Sequence, residues 1–173
     1  MKSKSSDTSN DNKNSELQHL FVDQLRDILW AEKHLLKALP KMAKAAKDKK
    51  LRQAFTTHQG ETETHVERLG QIFTALGLSA RAKKCAAMEG LLEEADELAD
   101  EYSESTALDA ALIAAAQKVE HYEIATYGTL RSFAECLGHS EAMNLLSQTL
   151  DEESKADELL TKIARTQNEE ALA

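Results

Sequence analysis

From Leu17 onward the apolar residues recur every three or four positions, the spacing that places them on one face of an α-helix. Four long segments carry this pattern. The first spans about Glu16 to Lys47 and contains Pro40, whose missing backbone donor predicts a local break or kink. The second spans Lys50 to Leu76 and stops at Gly77, a residue suited to a left-handed cap. The third starts near Ser105, an N-cap candidate, and ends before Gly138. The fourth covers about Ser140 to Arg165. Residues 78 to 104 form a longer connection, in which MEGLLEEADELADE predicts a short amphipathic helix that rests on the bundle through Leu91, Leu92 and Leu98. Short, long and short connections suit two antiparallel helix pairs joined by a crossover, so the expected fold is all-α, a ferritin-like antiparallel four-helix bundle. Residues 1–15 hold nothing apolar after Met1 and predict a disordered polar tail; residues 16–166 form the bundle and 167–173 a frayed end.

The apolar seams are interrupted at matching heights. On the first segment the seam reads Phe21, Leu25, Ile28, Glu32, Leu35, Leu39, Met42; on the second, Leu51, Phe55, His58, Thr62, His65, Leu69, Ile72, Leu76. The third reads Ile113, Ala116, Glu120, Glu123, Tyr127, Leu130, Ala134, Leu137, and the fourth Ala142, Leu146, Thr149, Glu153, Ala156, Leu160, Ile163. Glu32, Thr62, Glu120 and Glu153 each fall near the middle of their own segment. In a bundle of similar helices those midpoints meet.

Composition supports the helical reading. The chain holds 26 Ala, 24 Leu and 20 Glu against eight Val and Ile together, with a single Pro. Strand-favouring residues are therefore too scarce for a β fold. With 21 basic and 30 acidic residues the net charge is -9, and no basic patch is interleaved with aromatics, which argues against direct nucleic-acid binding. No apolar run approaches a membrane span and no leader pattern precedes the first segment, pointing to a soluble, cytoplasmic protein. Cys85 and Cys136 form no CxxC motif and read as ordinary free thiols. The acidic run from Met88 to Glu104 reads as a solvated face.

The chemistry lies in the interrupted seams. Burying a carboxylate costs several kcal/mol unless it is paired or coordinated. No Lys or Arg occupies the seam positions of that layer. A metal is the simplest source of the missing positive charge, and several Glu with a His suit two ions such as iron or manganese. The alternative is a layer of carboxylates that share protons. His65 is a candidate ligand, or else a core imidazole bonded to a carboxylate. His58, two turns away, reads as structural, Glu152 as a surface residue and Tyr127 mainly as packing. Trp30 and Tyr122 have no distinguishing context, and His121 points off the seam.

The blocks AEKHLLKALPKMAKAA, ETETHVERLGQIFTALG, KVEHYEIATYGTLRSFAECLG and TLDEESKADELLTKIA resemble those of the YciF/YciE-type stress proteins, a rubrerythrin- and ferritin-like family. The likeness runs over about residues 16 to 166. It implies a four-helix bundle with a short extra helix in the crossover, a homodimer, a link to bacterial stress responses and a di-metal type of centre. The ferritin-like motif places Glu on helices one and three and Glu-x-x-His on helices two and four. Glu32 and Glu120 match, and Glu123 adds the carboxylate of a Glu-x-x-Glu pair. The other two helices depart from the motif: Thr62-x-x-His65 lacks the Glu and Glu153-x-x-Ala156 lacks the His. Glu61 and Asp157 flank these positions and are the candidate replacements.

The expected metal ligands are thus Glu32, Glu61, His65, Glu120, Glu123, Glu153 and Asp157. The expected function is a stress-response protein whose iron or manganese centre reacts with oxygen or peroxide. Without a CxxC iron–thiolate site, peroxidase turnover would draw electrons from an outside donor. The competing expectation is a non-enzymatic dimeric interaction protein, in which the degenerate site holds a structural ion or none.

Overall fold

The computed structural model describes residues 15–172, and the expected polar tail, apart from Ser15, lies outside them. Among the described residues there are five helices: α1 (Glu16–Ala45), α2 (Lys49–Ala75), α3 (Ala86–Glu101), α4 (Leu108–Leu137) and α5 (Ser140–Glu170). There is no strand among the described residues. At about 1.5 Å rise per residue, α4 and α5 are each roughly 45 Å long.

Local chemistry sets the helix ends. The Ser15 hydroxyl accepts from the Gln18 amide at 3.2 Å, and Asp48 accepts from the Lys50 and Leu51 amides, so α1 and α2 both start on a side-chain cap. Gly77 and Gly138 take the left-handed conformation at φ 70 and 76 and close α2 and α4. Pro40 does not break α1. It faces solvent, where water can take up the carbonyl that its ring leaves without a partner. Ser105 is not the cap of α4: its hydroxyl accepts from the Ala107 amide in the preceding turn, and the helix starts at Leu108. The last helix runs beyond the expected end, to Glu170, with Gln167 buried.

Helix α1 packs on α2 and α4, and α5 packs on α4 and α2, giving a square in which each neighbour is antiparallel. Contacts at the two ends fix those directions. At one end Asp109, at the start of α4, accepts from the amides of Lys47 and Asp48 at 2.8 and 2.6 Å, in the turn between α1 and α2. At the other, His139 Nε2 lies 2.7 Å from Gln18 Oε1 at the start of α1. Helix α2 therefore ends where α1 begins, while α4 starts at the opposite end. That geometry is why a long crossover is needed, and α3 packs on α4 and α1 as it travels back. Met88 and Ala95 are buried beneath it, with Leu91 and Leu92 packed on the core. Leu98 is half-buried.

The interior has three zones. Phe21, Leu25, Leu69, Phe73, Leu130 and Leu146 fill one end, and Leu39, Leu51, Phe55, Leu112, Ile113 and Leu160 fill the other. Each such side chain contributes about 1.5–3 kcal/mol through burial. Between them lies the polar layer. No described helix is long and apolar enough to cross a membrane.

Candidate metal centre

The four helix midpoints meet as the seams predict. Glu32, Thr62, His65, Glu123 and Glu153 are each fully buried, and Glu120 and His58 nearly so. The layer has two lobes. In one, His58, Glu120, Glu123 and Glu153 bring one ligand atom each within 4.8 Å of one another; in the other, Glu32, His65 and Glu153 do the same. Glu153 belongs to both and stands between the two imidazoles.

Each imidazole is held from outside by a carboxylate. His58 Nδ1 lies 3.2 Å from Glu61 Oε2, while its Nε2 faces inward, 3.5 Å from Glu120 and 3.6 Å from Glu153. His65 Nε2 lies 2.9 Å from Glu152 Oε2, while its Nδ1 faces Glu153 at 3.1 Å and Glu32 at 3.4 Å. Arg68 clamps Glu152 with both terminal nitrogens and reaches Thr149 at 3.2 Å. Its guanidinium keeps Glu152 below the usual carboxylate range, with His65 adding to the effect. An ionised carboxylate only accepts, so Glu152 orients the Nε2–H of His65 outward, and Glu61 stands in the corresponding place at Nδ1 of His58. The inner nitrogens are then free to present lone pairs to a cation, the carboxylate–histidine arrangement that supports metal ligands.

Without a cation the layer is poorly satisfied. Among the described residues ten buried side-chain N or O atoms lack a hydrogen-bond partner, and all but Arg26 Nε belong to this layer. They include both oxygens of Glu123, both of Glu153, and the inward nitrogens His58 Nε2 and His65 Nδ1. Several such atoms converging on two points are what a pair of cations would satisfy. Protons supply part of the charge. Burial opposes protonation of His58, but Glu120, Glu61 and Glu153 outweigh it and push the imidazole up to about 9. Burial likewise opposes protonation of His65, and the facing Glu153 and Glu32 push it up to about 11. Glu120 rises to about 8, chiefly through burial and further through Glu153, against the pull of His58. Glu123 rises well above the usual range through burial, then through Glu153, Glu32 and Glu120. Glu32 also rises, again through burial first.

Five of the seven expected ligands, Glu32, His65, Glu120, Glu123 and Glu153, fall within the two lobes. The other two are directed elsewhere. Glu61 bonds to His58 instead of entering a lobe, and Asp157 accepts from Gln117 Nε2 at 3.0 Å and faces His121 at 3.3 Å. His58 and Glu152, read from the sequence as structural and surface residues, are parts of the centre. His58 supplies from α2 the nitrogen that Ala156 cannot supply from α5. Tyr127 does more than pack: its hydroxyl donates to Glu32. Arg68 places a cation at the rim of a layer whose seam positions have none. Off the layer, Trp30 stacks on His34, and the Tyr122 hydroxyl links the Cys85 thiol at 3.0 Å to Asp27 at 2.9 Å. Cys85 also caps α3 through the Met88 amide, while Cys136 is exposed.

Fold and site together define a helical bundle with a buried, two-lobed carboxylate–imidazole centre. The chain matches the family described as Domain of unknown function (DUF892) over residues 16–173. It is 48% identical over 149 residues to Protein YciF of Escherichia coli K12, covering 86% of this chain and 90% of that one. Among solved structures it superposes on the E. coli stress protein YciF with a TM-score of 0.86 at 46% identity, covering 90% of this chain and 98% of that one. YcfI of Rhodopseudomonas palustris, described as a putative structural protein, gives 0.83 at 46% identity, with 85% and 94% covered. A protein of Xanthomonas campestris pv. campestris gives 0.69 at 18% identity, with 88% and 92% covered, a likeness of fold alone. The chain belongs to the DUF892 family, the YciF-type stress proteins.

Proposed function

We propose that this protein is a ferritin-like di-metal carboxylate protein that holds two iron or manganese ions at the midplane of its bundle and reacts with oxygen or peroxide under stress. The observation that carries the reading is the pair of inward-facing imidazole nitrogens. Each is oriented by an outer carboxylate and opposed by carboxylates whose buried oxygens lack partners. His58, Glu120 and Glu123 would hold one ion, Glu32 and His65 the other, and Glu153 would serve both. The donor set of nitrogen and oxygen without thiolate suits iron or manganese. Either metal, when bound, supplies a redox-active Lewis acid.

The chain's own residues prepare that site. Glu61 and Glu152 fix the imidazole tautomers, and Arg68 keeps Glu152 ionised. The Tyr127 hydroxyl holds Glu32 in place. The apolar zones above and below exclude water and strengthen every electrostatic contact within the layer.

A second reading has its own support, because the raised imidazoles can balance part of the layer with protons alone. On that reading the chain is a structural or interaction protein, the class named for the Rhodopseudomonas relative. Metal analysis of the purified protein separates the two. Up to two transition-metal ions per chain, with the ion of the His58 lobe lost in Glu120→Ala, supports the centre. Well under one ion per chain, with none taken up on anaerobic loading with iron or manganese, overturns it. Oxygen release or an optical change on adding peroxide to the loaded protein tests the reactivity.

A further inference from the structure

Ala156 occupies the place on α5 where the ferritin-like motif asks for a histidine, one turn beyond Glu153. The space is not filled by another side chain. A cavity of about 110 Å³ lies there, lined by Ala54, Phe55 and His58 of α2, Glu120 of α4, and Ala156 and Leu160 of α5. It reaches one lobe of the centre directly, since His58 and Glu120 are part of its wall. Thr57, Glu61, Lys155 and Leu159 complete the lining, and Leu159 is 44% exposed. Two of the expected ligands, Glu61 and Glu120, stand in its wall.

The lining restricts what can occupy it. A water molecule needs only about 10–15 Å³ of such space and an apolar cavity of about 150 Å³ holds benzene or xenon, so the chamber has room for a small molecule below about that size. The wall is mostly apolar, which disfavours a hydrated cation. Its inner end faces Glu120 with Glu123 and Glu153 close behind, which disfavours an anion. A small uncharged molecule meets neither penalty.

We infer that the chamber beside Ala156 is the entry and binding site through which a small uncharged oxidant, of the class of dioxygen or hydrogen peroxide, reaches the His58–Glu120 lobe. This rests on the di-metal reading for its function but not for its existence as a binding cavity. The absence of a histidine at 156 then has a purpose, with His58 ligating from the facing helix and the vacated volume left open on the substrate side.

Two probes test it. Crystals of the wild-type protein pressurised with xenon should show xenon between Ala54, Phe55 and Ala156, and Ala156→Leu should remove that peak by filling the space. In iron(II)-loaded protein, nitric oxide, an uncharged diatomic probe, should bind in wild type, and Ala156→Leu should slow its association roughly tenfold at unchanged iron stoichiometry, because a close-packed wall passes small molecules only by rearranging. Leu159→Ala, at the exposed mouth, should speed association or leave it unchanged, and serves if the leucine variant does not fold. Xenon absent from the chamber, equal nitric oxide rates in Ala156→Leu, or slower binding in Leu159→Ala would overturn the inference. Protein that binds xenon at this place but takes up no iron would instead defeat the di-metal reading while leaving the cavity as a small-molecule site.

Discussion

His65 Nε2 lies 2.9 Å from Glu152 Oε2, and this contact turns the other imidazole nitrogen toward Glu153 and Glu32. Glu152 is itself clamped by Arg68. Outer carboxylates of this kind set ligand tautomer and orientation, and their loss typically costs about 10–100-fold in metal affinity. Glu152→Gln should therefore weaken one manganese site by that factor in calorimetric titration and leave the other unchanged. Glu61→Gln should do the reverse, weakening the site that contains His58. A uniform weakening of both sites by either change would contradict the two-lobe assignment.

Glu123 is fully buried, and neither of its oxygens has a partner. Leaving a buried polar group unsatisfied costs about 1–3 kcal/mol, more for a charged one. Glu123→Leu, close in volume, should raise the stability of the metal-free protein by about 1–3 kcal/mol in urea denaturation, while lowering manganese affinity at the His58 lobe. A function placed in the core at the expense of stability predicts this opposition. Loss of stability in the metal-free leucine variant would mean that Glu123 already has a satisfying partner.

The metal-free protein should lose stability as pH rises. His58 and Glu120 both have folded-state values above their ordinary ones, about 9 against 6.5 and about 8 against 4.5, so the folded state binds more protons than the unfolded. Stability falls with pH wherever that holds. The contribution of Glu120 is complete below about 4.5 and is lost as pH climbs through 8; that of His58 is complete below about 6.5 and is lost through 9. The melting temperature of chelator-treated protein should fall by several degrees between pH 6.5 and 9, and saturating manganese should flatten that slope. A melting temperature that rises over this interval would contradict the protonated layer.

Asp109 ties the start of α4 to the turn between α1 and α2 through two amide hydrogen bonds. Hydrogen bonds to a charged group contribute about 1.5–3 kcal/mol each, so losing the two in Asp109→Ala should destabilise the fold by about 3–6 kcal/mol. Because the tie lies at the end of the bundle, metal stoichiometry should stay the same. Denaturation midpoints and metal content measured on one preparation check both parts.

Much of this arrangement was legible in the residue pattern. Every seam position of α1 and α4 read from the three-and-four spacing is buried, as is all but Leu76 of α2 and all but Ala156 of α5. The helical period reports which face turns inward, and that is enough to collect Glu32, His65, Glu120, Glu123 and Glu153 in one layer. It does not report what one helix offers another. Two turns separate His58 from His65 along α2, yet both imidazoles face the same Glu153, because Glu153 sits between them on the facing helix and Ala156 leaves room beside it. Glu152 lies one residue off its seam, and Arg68 and His65 of α2 draw it to the rim. Asp157 was equally placed by spacing but is taken by Gln117 of α4. Pro40 and Ser105 show the same limit at helix ends, where solvent exposure and the preceding turn decide the outcome.

The most direct test is a crystal structure of protein loaded with manganese or iron, with anomalous scattering recorded at the edge of the metal used. Two anomalous peaks are predicted, one among His58, Glu120, Glu123 and Glu153 and one among Glu32, His65 and Glu153. A map from fully loaded crystals with no anomalous peak in the layer, or with peaks only among the acidic residues of α3, would contradict the di-metal centre.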